Sequence, residues 1–224
     1  MHTDSVLSVR LWYTRAEQLS ITQQQSCLAR LPEAQQRHFL TLRTDKRRQE
    51  YLFSRLLICT ALSQVYSKPP DSWIIQDRPH AKPEIANLPV SVYISLSHSR
   101  QLIGFALSES PVGLDIEYRA KRNNLKALAA EFMTLSELHK LPPDSSKQHD
   151  YFYRLWCAKE AVYKALPRDR QLNTPLSTID YAGLAAGDTN WHLHEHHIGA
   201  FQSSLVTPRL TTQPSLITRT LQLV

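Results

Sequence analysis

Two short stretches carry residues whose types and spacing could do chemistry. Gly113-Leu114-Asp115-Ile116-Glu117 alternates apolar and acidic side chains. Residues two apart on a strand share a face, so Asp115 and Glu117 project together while Leu114 and Ile116 enter a core. Trp156-Cys157-Ala158-Lys159-Glu160-Ala161-Val162-Tyr163-Lys164 reads as a helix. Residues four apart share a helix face, which sets Trp156, Glu160 and Lys164 in one row. Three carboxylates and one ammonium that converge would suit a hard divalent cation, Mg²⁺ first, and a phosphate substrate. Each stretch also has a plainer reading. Acids are ordinary on the solvent face of an edge strand, and Glu160–Lys164 could be a surface ion pair worth about 0.2–0.5 kcal/mol.

Other candidates are less specific. Ser97-His98-Ser99 follows a strand and reads as a turn, which could be a polar hairpin or a phosphate cradle of hydroxyls, backbone N–H groups and an imidazole. Arg78-Pro79-His80-Ala81-Lys82-Pro83 is either an exposed proline loop or a source of two cations for the same site. Trp191 to His197, as a strand, puts His192, His194 and His196 on one face. That face could be a metal ligand cluster, but no catalytic partner adjoins it, and a solvated strand face is the simpler expectation. Cys157 adjoins the acidic helix yet has no obvious general base, so it is expected to be a buried thiol, like Cys59.

The elements that must position these groups read as α+β. A strand is expected over residues 5–13, helices over 16–31, from Glu33 and over 45–66, a short strand over 73–76 and a proline loop over 77–89. Strands follow over 90–96 and 102–108. Glu109-Ser110-Pro111 breaks the chain, and the order then repeats: a strand over 112–118, a helix over 125–132, and a short helix opened by the capping-box spacing of Thr134 and Glu137. A loop over 141–149 leads to a long helix capped by Asp150 and ending near Leu166. Strands and turns are expected after Asn173. The division implied is an N-terminal half, 1–110, and a C-terminal half, 111–224, that carries the acidic motifs.

Composition narrows the class of function. The 224 residues are 42% apolar with mixed charge, as in a folded soluble protein, and no apolar run would span a membrane. The start, Met1-His2-Thr3-Asp4, lacks a secretion pattern, so cytoplasmic residence is expected. Three widely spaced cysteines argue against a disulfide framework. A net charge of +6 favours polyanionic partners. No aromatic-interleaved basic repeat supports a nucleic-acid platform, so neither nucleic acid nor membrane is an expected partner.

G-x-D-x-E followed by W-x-x-K-E-x-x-x-K resembles the signature pair of the 4′-phosphopantetheinyl transferases, in the surfactin-synthetase-activating (Sfp-like) branch. Arg37 after Pro32-Glu33, the Lys82-Pro83 pair, Ser97-His98-Ser99, Phe132 to Glu137 and Asp150-Tyr151-Phe152-Tyr153 fit the same pattern in order, over about residues 30 to 170. The resemblance implies two α+β halves related by a pseudo-twofold axis, with coenzyme A in the cleft between them. It implies Mg²⁺-dependent transfer of the phosphopantetheine arm from coenzyme A to a serine of an acyl or peptidyl carrier protein, with release of adenosine 3′,5′-bisphosphate, by a monomer.

Carried over by residue, the resemblance makes Asp115, Glu117 and Glu160 the Mg²⁺ ligands. Glu160, Lys164 and Asp115 are the catalytic set, with Glu160 as base either directly or through a water. Arg37, Lys82, Ser97, His98 and Lys164 become the coenzyme A contacts; Arg43, Arg47 and Arg48 compete with Arg37. Ala81 stands where the family has glycine, and Cys157 where serine is common. Two other classes stay open: a metal-dependent nuclease and a non-catalytic basic module that binds carriers. Against the nuclease, the last acid and lysine lie four apart on an expected helix rather than two apart on a strand.

Overall fold

A computed structural model describes residues 8–77, 82–210 and 215–224. The chain runs β1 (Ser8–Arg15), α1 (Ile21–Ala29), α2 (Glu33–Thr41), α3 (Asp45–Tyr66), β2 (Ile75–Gln76), β3 (Glu84–Ile85), β4 (Tyr93–Ser99) and β5 (Leu102–Ser108). It continues with β6 (Gly113–Tyr118), α4 (Leu125–Phe132), α5 (Leu135–His139), α6 (Ser145–Ala165), α7 (Arg168–Gln171), α8 (Tyr181–Ala186), β7 (Trp191–Ile198), β8 (Phe201–Pro208) and β9 (Ser215–Thr220). The α+β class expected from the sequence is what the chain adopts.

Two sheets carry the same connectivity. In the first, β5 pairs antiparallel with β1 and β4, giving the order β4-β5-β1-β9; in the second, β8 pairs antiparallel with β6 and β7, giving β6-β8-β7. Each sheet's first strand is followed by helices, a long one among them, and later by a hairpin that completes the sheet. The last strand, β9, returns to the first sheet and pairs parallel with β1, Val9 opposite Leu216.

Alternation along the strands builds four layers. Trp12, Ile103, Phe105 and Leu107 pack on α3 through Leu52, Leu56 and Cys59. The opposite faces of β1 and β5, with Val9, Leu11, Tyr13, Leu102 and Ala106, meet Leu114, Ile116, Phe201 and Leu205 of the second sheet. That sheet's far face receives α6, where Val206 packs with Ala161, Val162 and Ala165. Apolar residues at alternate positions thus bury both faces of the central strands, at about 1.5–3 kcal/mol for each large side chain. Gly104 is required by the close sheet contact: a Cβ there would come within 2.7 Å of Ile116 Cδ1 and 2.9 Å of Leu114 Cδ2.

Several sequence expectations need correction. The long helix begins at Ser145, five residues before Asp150. Asp144 caps it by accepting from the Lys147 N–H at 2.9 Å, directly after Pro142-Pro143, and Asp150 lies inside the helix in an ion pair with Arg119. The first helix is shorter than expected, because Ser20 and Gln23 form a reciprocal capping box that fixes its start. Ser97-His98-Ser99 is the end of β4, not a turn; the reversal falls at Arg100, whose φ is 50°. Beyond Asn173 the chain forms α8, capped by Asp180, before any strand. Arg78, Pro79, His80 and Ala81 lie outside the described residues.

Candidate active site

β6 is an edge strand of the second sheet, and its two faces part the residues as the alternation requires. Leu114 and Ile116 point to the inter-sheet core, and Asp115 and Glu117 point to α6. The approach of helix and strand is close at Gly113, where a Cβ would stand 1.8 Å from the Ala161 carbonyl oxygen. Only glycine lets α6 lie this near the acidic strand.

Asp115 is the centre of the cluster and is 4% exposed. Its Oδ1 accepts from Lys164 Nζ at 2.6 Å and from Ser97 Oγ at 3.1 Å. Its Oδ2 is buried with no hydrogen-bond partner. Lys164 Nζ also donates to Ser97 Oγ at 3.2 Å. Burial opposes the Lys164 charge, but the adjacent Asp115 carboxylate outweighs it and raises the ammonium above its ordinary value. Two of the three ammonium protons are engaged, leaving one for a ligand oxygen.

Glu117 accepts from Trp156 Nε1 at 3.1 Å through Oε1 and from Ser99 Oγ at 3.4 Å through Oε2. Burial, then the Asp115 charge, raise its carboxyl above the usual range. Glu160 is raised likewise, by burial first and Asp115 second, with Lys164 opposing. It lines a cavity of about 410 Å³ with Tyr163, Gln171, Leu172, Thr174, Pro175 and Leu176. Its carboxylate receives no hydrogen bond among the described residues. The three acids therefore feel one field, and neither Asp115 nor Glu117 sits on a solvated edge.

Among the described residues, no group of three or more His, Cys, Asp or Glu side chains is placed to hold a metal ion. The chemistry of the donors nonetheless suits Mg²⁺. A buried carboxylate oxygen without a partner, beside two further carboxylates, offers hard ligands, and Mg²⁺ commonly takes one or two carboxylates and completes its shell with water and phosphate oxygens.

The remaining expected residues are spread around this centre. His98 is exposed and, one residue from Ser97, occupies the opposite face of β4. Lys82 donates to the Ile94 carbonyl of β4 at 3.1 Å. Arg37 is on α2, with its exposed side chain paired to Glu33, and is not in contact with the acids. Arg43 and Arg47 are exposed, and Arg48 donates to the Leu42 carbonyl at 2.9 Å.

Three other features test the sequence reading. Cys157 is fully enclosed, and burial, with Asp115 beside it, pushes its thiol well above the ordinary value, so it is no nucleophile. His192, His194 and His196 of β7 are half-buried rather than solvated. His192 and His194 rings meet at 4.3 Å, and His196 Nε2 is buried without a hydrogen-bond partner. They form no metal cluster among the described residues.

Lys159, in the same motif as Glu160, is 0% exposed and turned away from the site. It donates to Glu137 Oε2 at 2.6 Å and to the Phe132 carbonyl at 3.1 Å, while Glu137 also accepts from Thr134 N and Tyr181 N. Groups from α4, α5, α6 and α8 converge there, which ties α5 and α8 to α6. Sequence reasoning missed this pair, and it missed the donors to Glu117. The alternating serines of β4 were the available signal for the latter.

Comparison with known proteins agrees with this geometry. The family described as the 4′-phosphopantetheinyl transferase superfamily matches residues 111–215. The chain is 33% identical over 114 residues to 4′-phosphopantetheinyl transferase psf-1 of Bacillus pumilus, covering 50% of this chain and 48% of that protein. It is 28% identical over 147 residues to the transferase Sfp of Bacillus subtilis, covering 65% of this chain and 63% of that protein. It is 34% identical over 122 residues to the transferase AcpT of Escherichia coli K12, covering 53% and 57%. The chain spans about half to two thirds of the length of these relatives. The matched segment, residues 111–215, holds Asp115, Glu117, Glu160 and Lys164, and over it the chain is similar to the 4′-phosphopantetheinyl transferase superfamily, with psf-1 and Sfp among the similar proteins.

Proposed function

We propose that the protein transfers the 4′-phosphopantetheine arm of coenzyme A to a serine of an acyl or peptidyl carrier protein. The observation that carries this is Asp115: buried, clamped through one oxygen by Lys164 and Ser97, and open through the other. Asp115, with Glu117 and Glu160 beside it, would hold Mg²⁺, which when bound neutralises the pyrophosphate.

The chain's own groups supply the rest. Lys164 keeps its charge in the enclosed site and has one free N–H to place on a phosphate oxygen, where negative charge builds as the leaving group departs. Glu160 faces an open cavity, free of fixed donors, with a carboxylate more basic than usual. It takes the proton of the attacking serine, directly or through a water. The serine oxygen forms a bond to the β-phosphorus, and the bond from that phosphorus to the bridging oxygen breaks. Adenosine 3′,5′-bisphosphate leaves with the electron pair. Lys82, His98 and Arg37 would reach the outer phosphates, the 3′-phosphate among them, from β4 and α2. Two halves in one chain, with the site at their junction, favour a monomer. The net charge of +6 suits acidic carriers.

The test is direct. Incubated with coenzyme A, Mg²⁺ and apo carriers of fatty-acid, polyketide and peptide type, the protein should add one phosphopantetheine mass to at least one of them. No mass gain on any carrier would reject the proposal.

A further inference from the structure

The two sheets meet along β4 and β6, and the contact is not an ordinary ladder. β6 uses one backbone edge to pair with β8, which leaves the N–H groups of Leu114, Ile116 and Tyr118 on the other. Each donates to a serine hydroxyl of β4: Leu114 N to Ser95 Oγ at 2.9 Å, Ile116 N to Ser97 Oγ at 3.1 Å and Tyr118 N to Ser99 Oγ at 3.0 Å. The period of two is the same in both strands, so the serines stay in register for three consecutive contacts. Alternate serines satisfy an edge that would otherwise present bare donors to a buried interface.

A hydroxyl that accepts such a bond still has its own proton. At Ser97 both other partners, Ile116 N and Lys164 Nζ, are donors, so its proton is directed to Asp115 Oδ1. At Ser99 the partner beyond Tyr118 N is Glu117 Oε2. Glu117 is thereby held from two sides, by Ser99 of β4 and by Trp156 of α6. Among the described residues Ser95 Oγ meets no carboxylate, and it only stitches.

We infer that Ser95, Ser97 and Ser99 form a hydroxyl seam between the two sheets, and that Ser99 is a positioning residue that aims the Glu117 carboxylate by the proton its seam bond leaves free. The consequence is that the first sheet orients acids carried by the second. The positioning role rests on the transferase reading, whereas the seam itself does not.

The experiment separates the two. Backbone amide exchange is followed by NMR in the protein without ligands. Ser95→Ala should speed exchange at Leu114 alone, and Ser99→Ala at Tyr118 alone; unchanged rates at both would overturn the seam. Mn²⁺ uptake in the presence of coenzyme A is then read by water proton relaxation. Ser99→Ala should weaken it about tenfold, Ser95→Ala should leave it as in the wild type, and Ser99→Thr should restore it. Equal losses in Ser95→Ala and Ser99→Ala, or none in Ser99→Ala, would overturn the positioning role. A wild-type protein that takes up neither coenzyme A nor Mn²⁺ would instead overturn the transferase reading and the positioning role with it, and amide exchange alone would decide the seam.

Discussion

α3 and α6 hold corresponding places in the chain. They are 22 and 21 residues long, and each lies on the outer face of its sheet. Each also buries one cation against an acid outside the helix: Arg55 with Asp77, and Lys159 with Glu137. They differ in what the next face carries. α3 continues apolar from Leu56 to Leu62 with few breaks, and its sheet offers it Trp12, Phe105 and Leu107. α6 turns Glu160 and Lys164 toward β6, whose outward residues are Asp115 and Glu117. One frame therefore serves two purposes. Where strand and helix exchange apolar residues the half only packs; where both exchange charges at the same contact, burial raises the energy of unpaired acids, and the proposed cation site would draw on that.

The largest expected break in this comparison is Glu160→Gln. Loss of the proposed base should cut transfer about 10²–10⁴-fold, measured by carrier mass, with the fold retained. A stability test goes with it. The folded-state carboxyl of Glu160 lies above its ordinary 4.5, owing to burial and then Asp115. Above that ordinary value the folded protein binds more protons than the unfolded chain, so Glu160 lowers stability as pH rises through its folded value. Without divalent cation, Glu160→Gln should melt higher than the wild type at neutral pH, with the difference closing as pH falls to about 4. Full transfer in the variant, or a lower melting point at pH 7, would contradict the assignment.

The buried pairs come next. Lys159→Met leaves Glu137 without its cation in a site where the acid's side chain is 4% exposed, and should cost about 3–5 kcal/mol in urea unfolding. Arg55→Met should cost less, because the Asp77 side chain is 22% exposed and water can solvate it. Equal losses would mean that the pairs do not differ in enclosure. Gly113→Ala follows: its Cβ would meet the Ala161 backbone oxygen, which cannot swing aside, so α6 must move at about 1–3 kcal/mol. Gly104→Ala meets side chains rather than backbone, the ends of Ile116 and Leu114 and, at 3.1 Å, the Tyr13 ring, and should be milder in both stability and transfer.

Much of this was legible in the sequence, and the rest was hidden for specific reasons. The helix over 45–66 and the strand over 102–108 were read to the residue, because long apolar periods and prolines mark their ends. The row of Trp156, Glu160 and Lys164 follows from helical spacing alone. The α6 start was misplaced because Asp144 and Asp150 are both good caps, and only tertiary pairing of Asp150 with Arg119 separates them. Ser97-His98-Ser99 resembled a turn because a polar strand end has turn composition; its hydroxyls have backbone partners only across the sheet junction. Lys159 beside Glu160 gave no sign of direction, although 100° of helix rotation sends one to the core and the other to the cavity.

The edge strands offer the finest comparison and the smallest predicted effect. β4 and β7 are the corresponding edges, and each has an alternating polar triple, Ser95, Ser97 and Ser99 against His192, His194 and His196. The triple of β4 meets a free β6 edge and takes its N–H groups. The edge of β1 that would correspond is already occupied by β9, and His192, His194 and His196 of β7 are half-buried. Burial, with His192 and His196 adjacent, pushes His194 down to about 4. As pH falls below the ordinary 6.5 the unfolded chain binds the proton first, so the stability this neutral imidazole contributes is present above 6.5 and is lost on the way to about 4. The urea midpoint of the wild type should therefore drop more between pH 7 and pH 5 than that of His194→Gln. A parallel drop in both proteins would show that the half-buried triple carries no pH cost.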